Sequence, residues 1–217
     1  MTPSLAASVV QARSGRWLER ALLAAFVLHG LAMLSMAALL LPGTPGGSQS
    51  DIAARMAYVA AHPWLWRLGW LPWQLTALGN LLLAWALLRT PWIARPLAWL
   101  TLLVTVCAII PDQIGQALWD TAGVALAAHG NLAAYASFEG AIFPIIAAGG
   151  GAGYTLAAVC WSVCLARAGV WTRGMTVFSC LLWALFGTLA LLAALPDGTG
   201  LPGWTVGAGN AVSCQGS

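Results

Sequence analysis

The chain has 217 residues, of which 60% are apolar and 7% charged, and its net charge of +3 comes from nine arginines set against six acids. A soluble domain carries charge on about a quarter of its residues, so this composition excludes an ordinary water-soluble fold. The arginines stand singly beside hydrophobic stretches and form no basic run, which argues against nucleic acid as a partner.

A helix needs about 20 apolar residues to cross roughly 30 Å of hydrocarbon. The first such stretch is 21–41, opened by Arg20 and closed by Pro42 and a Gly/Pro/Ser-rich loop. Its length exceeds the core of a secretory signal and no convincing small-residue cleavage site follows, so it reads as a retained span. The second is 68–88, between Arg67 and Arg89. The third is expected over 97–118: Leu97 to Ile110 is too short to cross alone, so the helix must run through Pro111 and carry Asp112, Gln113 and Gln116 in its outer third. The stretch 121–138 is only mildly apolar and is broken by His129, Gly130 and Asn131, which places it at the surface as an interfacial helix. The fourth and fifth spans are 141–166, ending at Arg167, and 175–195, stopped by Pro196. Thr205 to Ser217 is too short to cross and is expected as a short helix entering the outer leaflet or as a tail, exposing the face of the last span that bears Ser179, Trp183 and Phe186. The expected fold is therefore all-α: one integral membrane domain over 1–217, a polytopic transmembrane helical bundle with five full spans, an outer interfacial helix and a short C-terminal segment.

This topology sorts the charges. Arg13, Arg16, Arg20, Arg89, Arg95, Arg167 and Arg173 fall on one side, while Asp51, Asp112, Asp120, Glu139 and Asp197 fall on the other with Arg55 and Arg67. Basic loops resist translocation, so the amino terminus is expected on the cytoplasmic side of a multi-pass membrane protein. Tryptophans follow the same division: Trp17, Trp85, Trp92, Trp99 and Trp171 near the inner interface, Trp64, Trp66, Trp70, Trp119 and Trp204 near the outer one.

Small residues mark where helices approach. Gly149, Gly150, Gly151 and Gly153 form a patch in the fourth span, with weaker versions at Ala21 and Ala25 and at Gly79. Packing is the expected use, a glycine hinge or unwound ligand site being the alternative. No Lys-Ser/Thr follows the glycines and no strand precedes them, which excludes a phosphate-binding loop. Four of the five cysteines lie within hydrophobic spans, so no disulfide framework is indicated. Cys160 and Cys164 share a helix face but lack a histidine or acid nearby, and they read as packing residues. His29, alone in the first span, reads as a hydrogen bond between helices.

The polar residues gather toward the acidic side: His62, Arg67, Gln74, Asn80, Asp112, Gln113, Gln116, Asp120, His129 and Glu139. Ionisable groups at membrane depth are costly unless paired or wetted, so Arg67, Gln74, Asp112 and Gln116 are the candidate ligand-binding residues, with Arg67 the expected partner of Asp112.

The run Ala60-Ala61-His62-Pro63-Trp64-Leu65-Trp66-Arg67-Leu68-Gly69-Trp70-Leu71-Pro72-Trp73-Gln74, with Gly153-Tyr154-Thr155-Leu156-Ala157 before another span, resembles an uncharacterised bacterial family of small six-helix inner-membrane proteins, classed as a domain of unknown function. The resemblance covers most of the chain and lies in helix order and short motifs; it implies a helical bundle, brings no catalytic residue, and implies a sixth span that this sequence lacks.

Two functions are in contention. The first is a binding or accessory bundle with an outward-facing polar pocket for a small ligand or lipid, with no cofactor or metal and with membrane lipid as the constant partner; assembly as a homo-oligomer is compatible with it. The second is an outer-leaflet intramembrane enzyme, for instance a metal-dependent hydrolase using His62, His129, Asp112 and Glu139, although no ligand spacing puts two of these on one helix face.

Overall fold

A computed structural model describes residues 5–49 and 51–193. Among the described residues the chain is helical throughout, without strands. In chain order the helices are α1 (Leu5–Ser35), continued by a π-helical turn (Met36–Leu40); α2 (Ile52–Ala61); α3 (Pro63–Arg89); α4 (Arg95–Leu118), which runs through a π turn (Trp119–Gly123) into α5 (Val124–His129); α6 (Leu132–Pro144), which runs through a second π turn (Ile145–Gly150) into α7 (Gly151–Arg167); and α8 (Arg173–Ala193).

Four continuous helices are long and apolar enough to cross a membrane: Gly15–Leu40, Pro63–Arg89, Arg95–His129 and Leu132–Arg167. The fifth expected span, 175–195, falls on α8, which is helical over its 21 described residues and is not among these four. The helices pack as a row, α1 on α3, α3 on α4, α4 on α7 and α7 on α8. Arg89, Arg95, Arg167 and Arg173 start or finish helices at one end of it, which we call the arginine end, and Arg16 and Arg20 lie where the apolar stretch Gly15–Leu40 of the first helix begins. Leu18, Ala21, Leu87, Ile93, Ala98 and Leu165 form the core there.

The opposite end is capped. At 35 and 36 residues, the α4–α5 and α6–α7 helices extend about 53 Å, well beyond a hydrocarbon layer of roughly 30 Å. The stretch 121–138, expected as an interfacial helix, is helical and lies at this end, divided into the tops of these two helices. Its turn is made by Gly130, whose φ of 70° suits a residue without a Cβ, and by Asn131, whose side chain accepts the Ala134 N–H at 3.0 Å to cap α6. The short α2 packs across α5 and α6, its first turn capped by the Asp51 carboxylate. Beneath it lies a second core, in which Leu40, Val59, Trp66, Trp119 and Tyr135 have no exposed surface.

This cap alters the expected tryptophan belts. Trp64 is 76% exposed, as a headgroup anchor would be, but Trp66, Trp70 and Trp119 pack against one another with ring centroids 5.7–6.1 Å apart inside the capped core. They are core residues because α2, α5 and α6 cover them. Trp204 lies outside the described residues, as does the expected tail 205–217.

The glycine patch of 149–153 packs helices together. A Cβ on Gly153 would lie 2.7 Å from that of Ala108 and 2.9 Å from its Cα, so the α4 and α7 backbones approach as only glycine permits. Gly149 faces Pro111, Gly150 faces Asp112, and Gly151 faces Ala190 of α8. Gly79 packs likewise on Ala25 of α1. Cys160 and Cys164 are buried, and Cys164 meets the Thr101 hydroxyl of α4 at 3.6 Å. Two expectations are corrected. His29 bonds the Ala25 carbonyl of its own helix at 2.8 Å, since it lies on an exposed face with no helix opposite. The α8 face bearing Ser179 and Trp183 is turned inward, the Trp183 indole donating to Ser162 of α7 at 2.9 Å, and the exposed face carries Val177, Phe178, Leu181 and Leu185 instead.

Candidate functional site

The four residues singled out from the sequence fall into two groups. Arg67 and Gln74 lie two turns apart on α3. Both reach Asp120, at the start of the π turn that follows α4: Arg67 Nε donates to the Asp120 backbone carbonyl at 3.0 Å, and Gln74 Nε2 donates to Asp120 Oδ2 at 2.9 Å. Gln116 and Asp112 lie one and two turns closer to the arginine end. Gln116 Nε2 donates to Asp112 Oδ1 at 2.8 Å, while Gln113 Nε2 and the Tyr154 hydroxyl donate to Oδ2 at 3.1 and 3.0 Å.

The expected Arg67–Asp112 pair is therefore not formed. Eight residues of helix separate Asp112 from Asp120, about 12 Å of axial rise, and the antiparallel α3–α4 hairpin brings Arg67 level with the latter. Arg67 is 22 residues from Arg89 at the other end of α3, about 33 Å, which is one hydrocarbon thickness. Asp112 is 17 residues from Arg95, about 26 Å, and so lies inside that thickness.

A third polar group was not expected as a unit. Arg55 of α2 and Glu139 of α6, both buried, form a two-pronged ion pair in the cap: Nε donates to Oε2 at 3.0 Å, a terminal nitrogen reaches Oε1, and another donates to the Gln49 carbonyl at 3.1 Å. Beside it the Tyr58 hydroxyl donates to the Leu39 carbonyl at 2.6 Å, and partial burial pushes this phenol above its ordinary pKa, so it remains a donor. These links tie α2 and the 41–49 loop to the long helices.

Sequence reasoning missed Asp120 and Tyr154 as the partners of the two groups. Asp120 was legible only as part of a surface connection. Tyr154 carried one signal, its place one turn after the glycines that let α7 approach α4. The residues of the hydrolase alternative do not converge: His62 and His129 are exposed, Glu139 is engaged by Arg55, and Asp112 by amides and a phenol. Among the described residues no three His, Cys, Asp or Glu side chains are placed to hold a metal ion. An apolar groove of ≈ 330 Å³ runs between α7 and α8, lined by residues including Ser162, Trp171, Ser179 and Trp183, remote from both polar groups.

No family model, curated protein or solved structure matches the chain. The fold and these polar groups define an all-helical bundle, with four helices long and apolar enough to span a membrane and with a polar interior toward its capped end.

Proposed function

We propose that the chain is a binding or accessory protein of a bacterial inner membrane, its amino terminus and arginine end cytoplasmic and its capped end outside, and that Arg67 holds an anionic headgroup or small acid at the outer surface. The carrying observation is the state of Arg67. It is half-buried, spends its Nε on a backbone carbonyl, and among the described residues forms no ion pair with a carboxylate. Its guanidinium carbon lies 5.4 Å from the centre of the exposed Trp64 ring, an arrangement that holds the charge at headgroup depth. Below it the exposed Leu68, Leu71, Leu75 and Leu78 offer an apolar track for acyl chains. The planar guanidinium matches phosphate and carboxylate geometry, and Gln74 and Asp120 fix its position.

The test is thermal unfolding in nanodiscs of phosphatidylcholine with and without phosphatidylglycerol. The anionic lipid should raise the Tm of the wild type and leave that of Arg67→Gln unchanged. Equal Tm values for the wild type in both lipids would dispose of the headgroup reading.

A further inference from the structure

Asp112 is the buried acid of the bundle for which the lipid-facing reading has no use. It is 5% exposed, inside the span thickness, and its three hydrogen bonds come from neutral donors, Gln113, Gln116 and Tyr154. No cation approaches it among the described residues. The elements packed around it bring Tyr154 from α7 and the uncharged turn 145–150; Arg67 is engaged with Asp120 two turns away, and Glu139 of α6 is paired with Arg55. An uncompensated carboxylate at that depth is costly, and the ordinary remedies are a bound positive charge or a proton.

The second observation concerns Gln116, which is 1% exposed. One atom of its amide, Nε2, donates to Asp112 Oδ1; the other, Oε1, is buried without a hydrogen-bond partner. Turning this amide by half a rotation exchanges the two atoms. Oε1 would then face Oδ1, which is repulsive against a carboxylate but becomes a hydrogen bond when the carboxyl carries a proton. Space argues for the proton over a metal ion. Gly150 packs so closely that a Cβ there would lie 3.0 Å from the Asp112 Cβ and 3.3 Å from its Oδ1. The facing turn, 145–150, is π-helical, a local irregularity that recurs at functional sites.

We propose that Asp112 is a proton-binding site inside the bundle, charged with Gln116 as its donor and neutral with Gln116 as its acceptor. The proton is taken from water and returned to it, and forms one O–H bond with the carboxyl when bound. This goes beyond the headgroup reading and does not depend on it, since neither Asp112 nor Gln116 touches Arg67.

The test combines infrared difference spectroscopy with proton-release measurements on the purified protein in detergent, stepping the pH between acid and alkaline. Choline chloride replaces sodium chloride in a parallel series. The wild type should show a titrating carboxyl component that Asp112→Asn lacks, and should release about one more proton than that variant, with the same result in both salts; Asp120→Asn, measured alongside, identifies the separate component of the Asp120 carboxyl. Asparagine keeps an acceptor oxygen and adds a donor that can meet Gln116 Oε1, so this variant should fold. Should it fail to, Tyr154→Phe supplies the second arm: it removes one donor to the charged form and should move the midpoint of the Asp112 component to higher pH. A titrating signal in Asp112→Asn identical to that of the wild type, the absence of any titrating band in the wild type, a titration that requires sodium, or an unmoved midpoint in Tyr154→Phe would overturn the proposal.

Discussion

Glu139→Gln should loosen the cap and leave the spans in place. Arg55 and Glu139 are both under a tenth exposed, and their two-pronged contact joins a helix of ten residues to the top of a long one. Removing the Glu139 charge breaks a buried pair, a change that costs about 3–5 kcal/mol in protein interiors. Arg55 keeps its bond to the Gln49 carbonyl, so the lower end applies, about 3 kcal/mol. For a chain of this size that is a fall in Tm of roughly 6–12 °C. Tryptophan fluorescence during thermal unfolding in detergent reads the change directly, because Trp66 and Trp119 lie in the core under α2. Hydrogen exchange should show protection lost over Ile52–Ala61 and retained across Ala98–Ala108. Arg55→Met combined with Glu139→Leu should recover most of the loss, since apolar residues of similar volume often replace a buried pair without penalty. A fall of under about 2 °C for Glu139→Gln would refute the reasoning by showing the pair to be as weak as a surface one.

Gly153→Ala should cost about 1–3 kcal/mol, because its new methyl meets the backbone of α4 at Ala108 and neither helix can withdraw, whereas Gly149→Ala, with 3.7 Å to Pro111, should be tolerated; unfolding midpoints of the two variants decide it, and equal values would show that the contact yields. In a cysteine-free background, His129→Cys at the capped end should react with an impermeant maleimide added to intact cells, and Thr172→Cys at the arginine end only after lysis. The reverse pattern would invert the proposed orientation.

Most of the architecture was legible because its causes are local. The arginine bounds hold at one end, where α3 ends at Arg89, α4 starts at Arg95, α7 ends at Arg167 and α8 starts at Arg173, and Pro111 does not stop α4, whose flanking residues lie in an apolar bundle that supports a continuous helix. The glycines of 149–153 announced a close approach, and Gly153 makes one. The candidate site was legible only as a set of residue types. Gln74 and Asp112 were recognisable as polar groups in the wrong solvent, but their partners depend on the register of α3 against α4 and of α4 against α7. That register is fixed by which small residues allow contact, and a periodic pattern does not disclose it.

What the sequence determined by itself was the all-helical class, the position of the four long apolar helices and the gathering of most arginines at one end, since hydropathy and charge act along the chain and need no partner. What only the tertiary structure decided was the cap. The stretch 121–138 became the upper turns of two long helices, and Trp66, Trp70 and Trp119 became a core instead of an interfacial belt, because α2 lies across them and removes them from solvent. The pairings Arg55–Glu139, Gln74–Asp120 and Tyr154–Asp112 belong to the same level: each joins residues 42 or more apart in the chain, and only the packing of helices brings such donors and acceptors within 3 Å of each other.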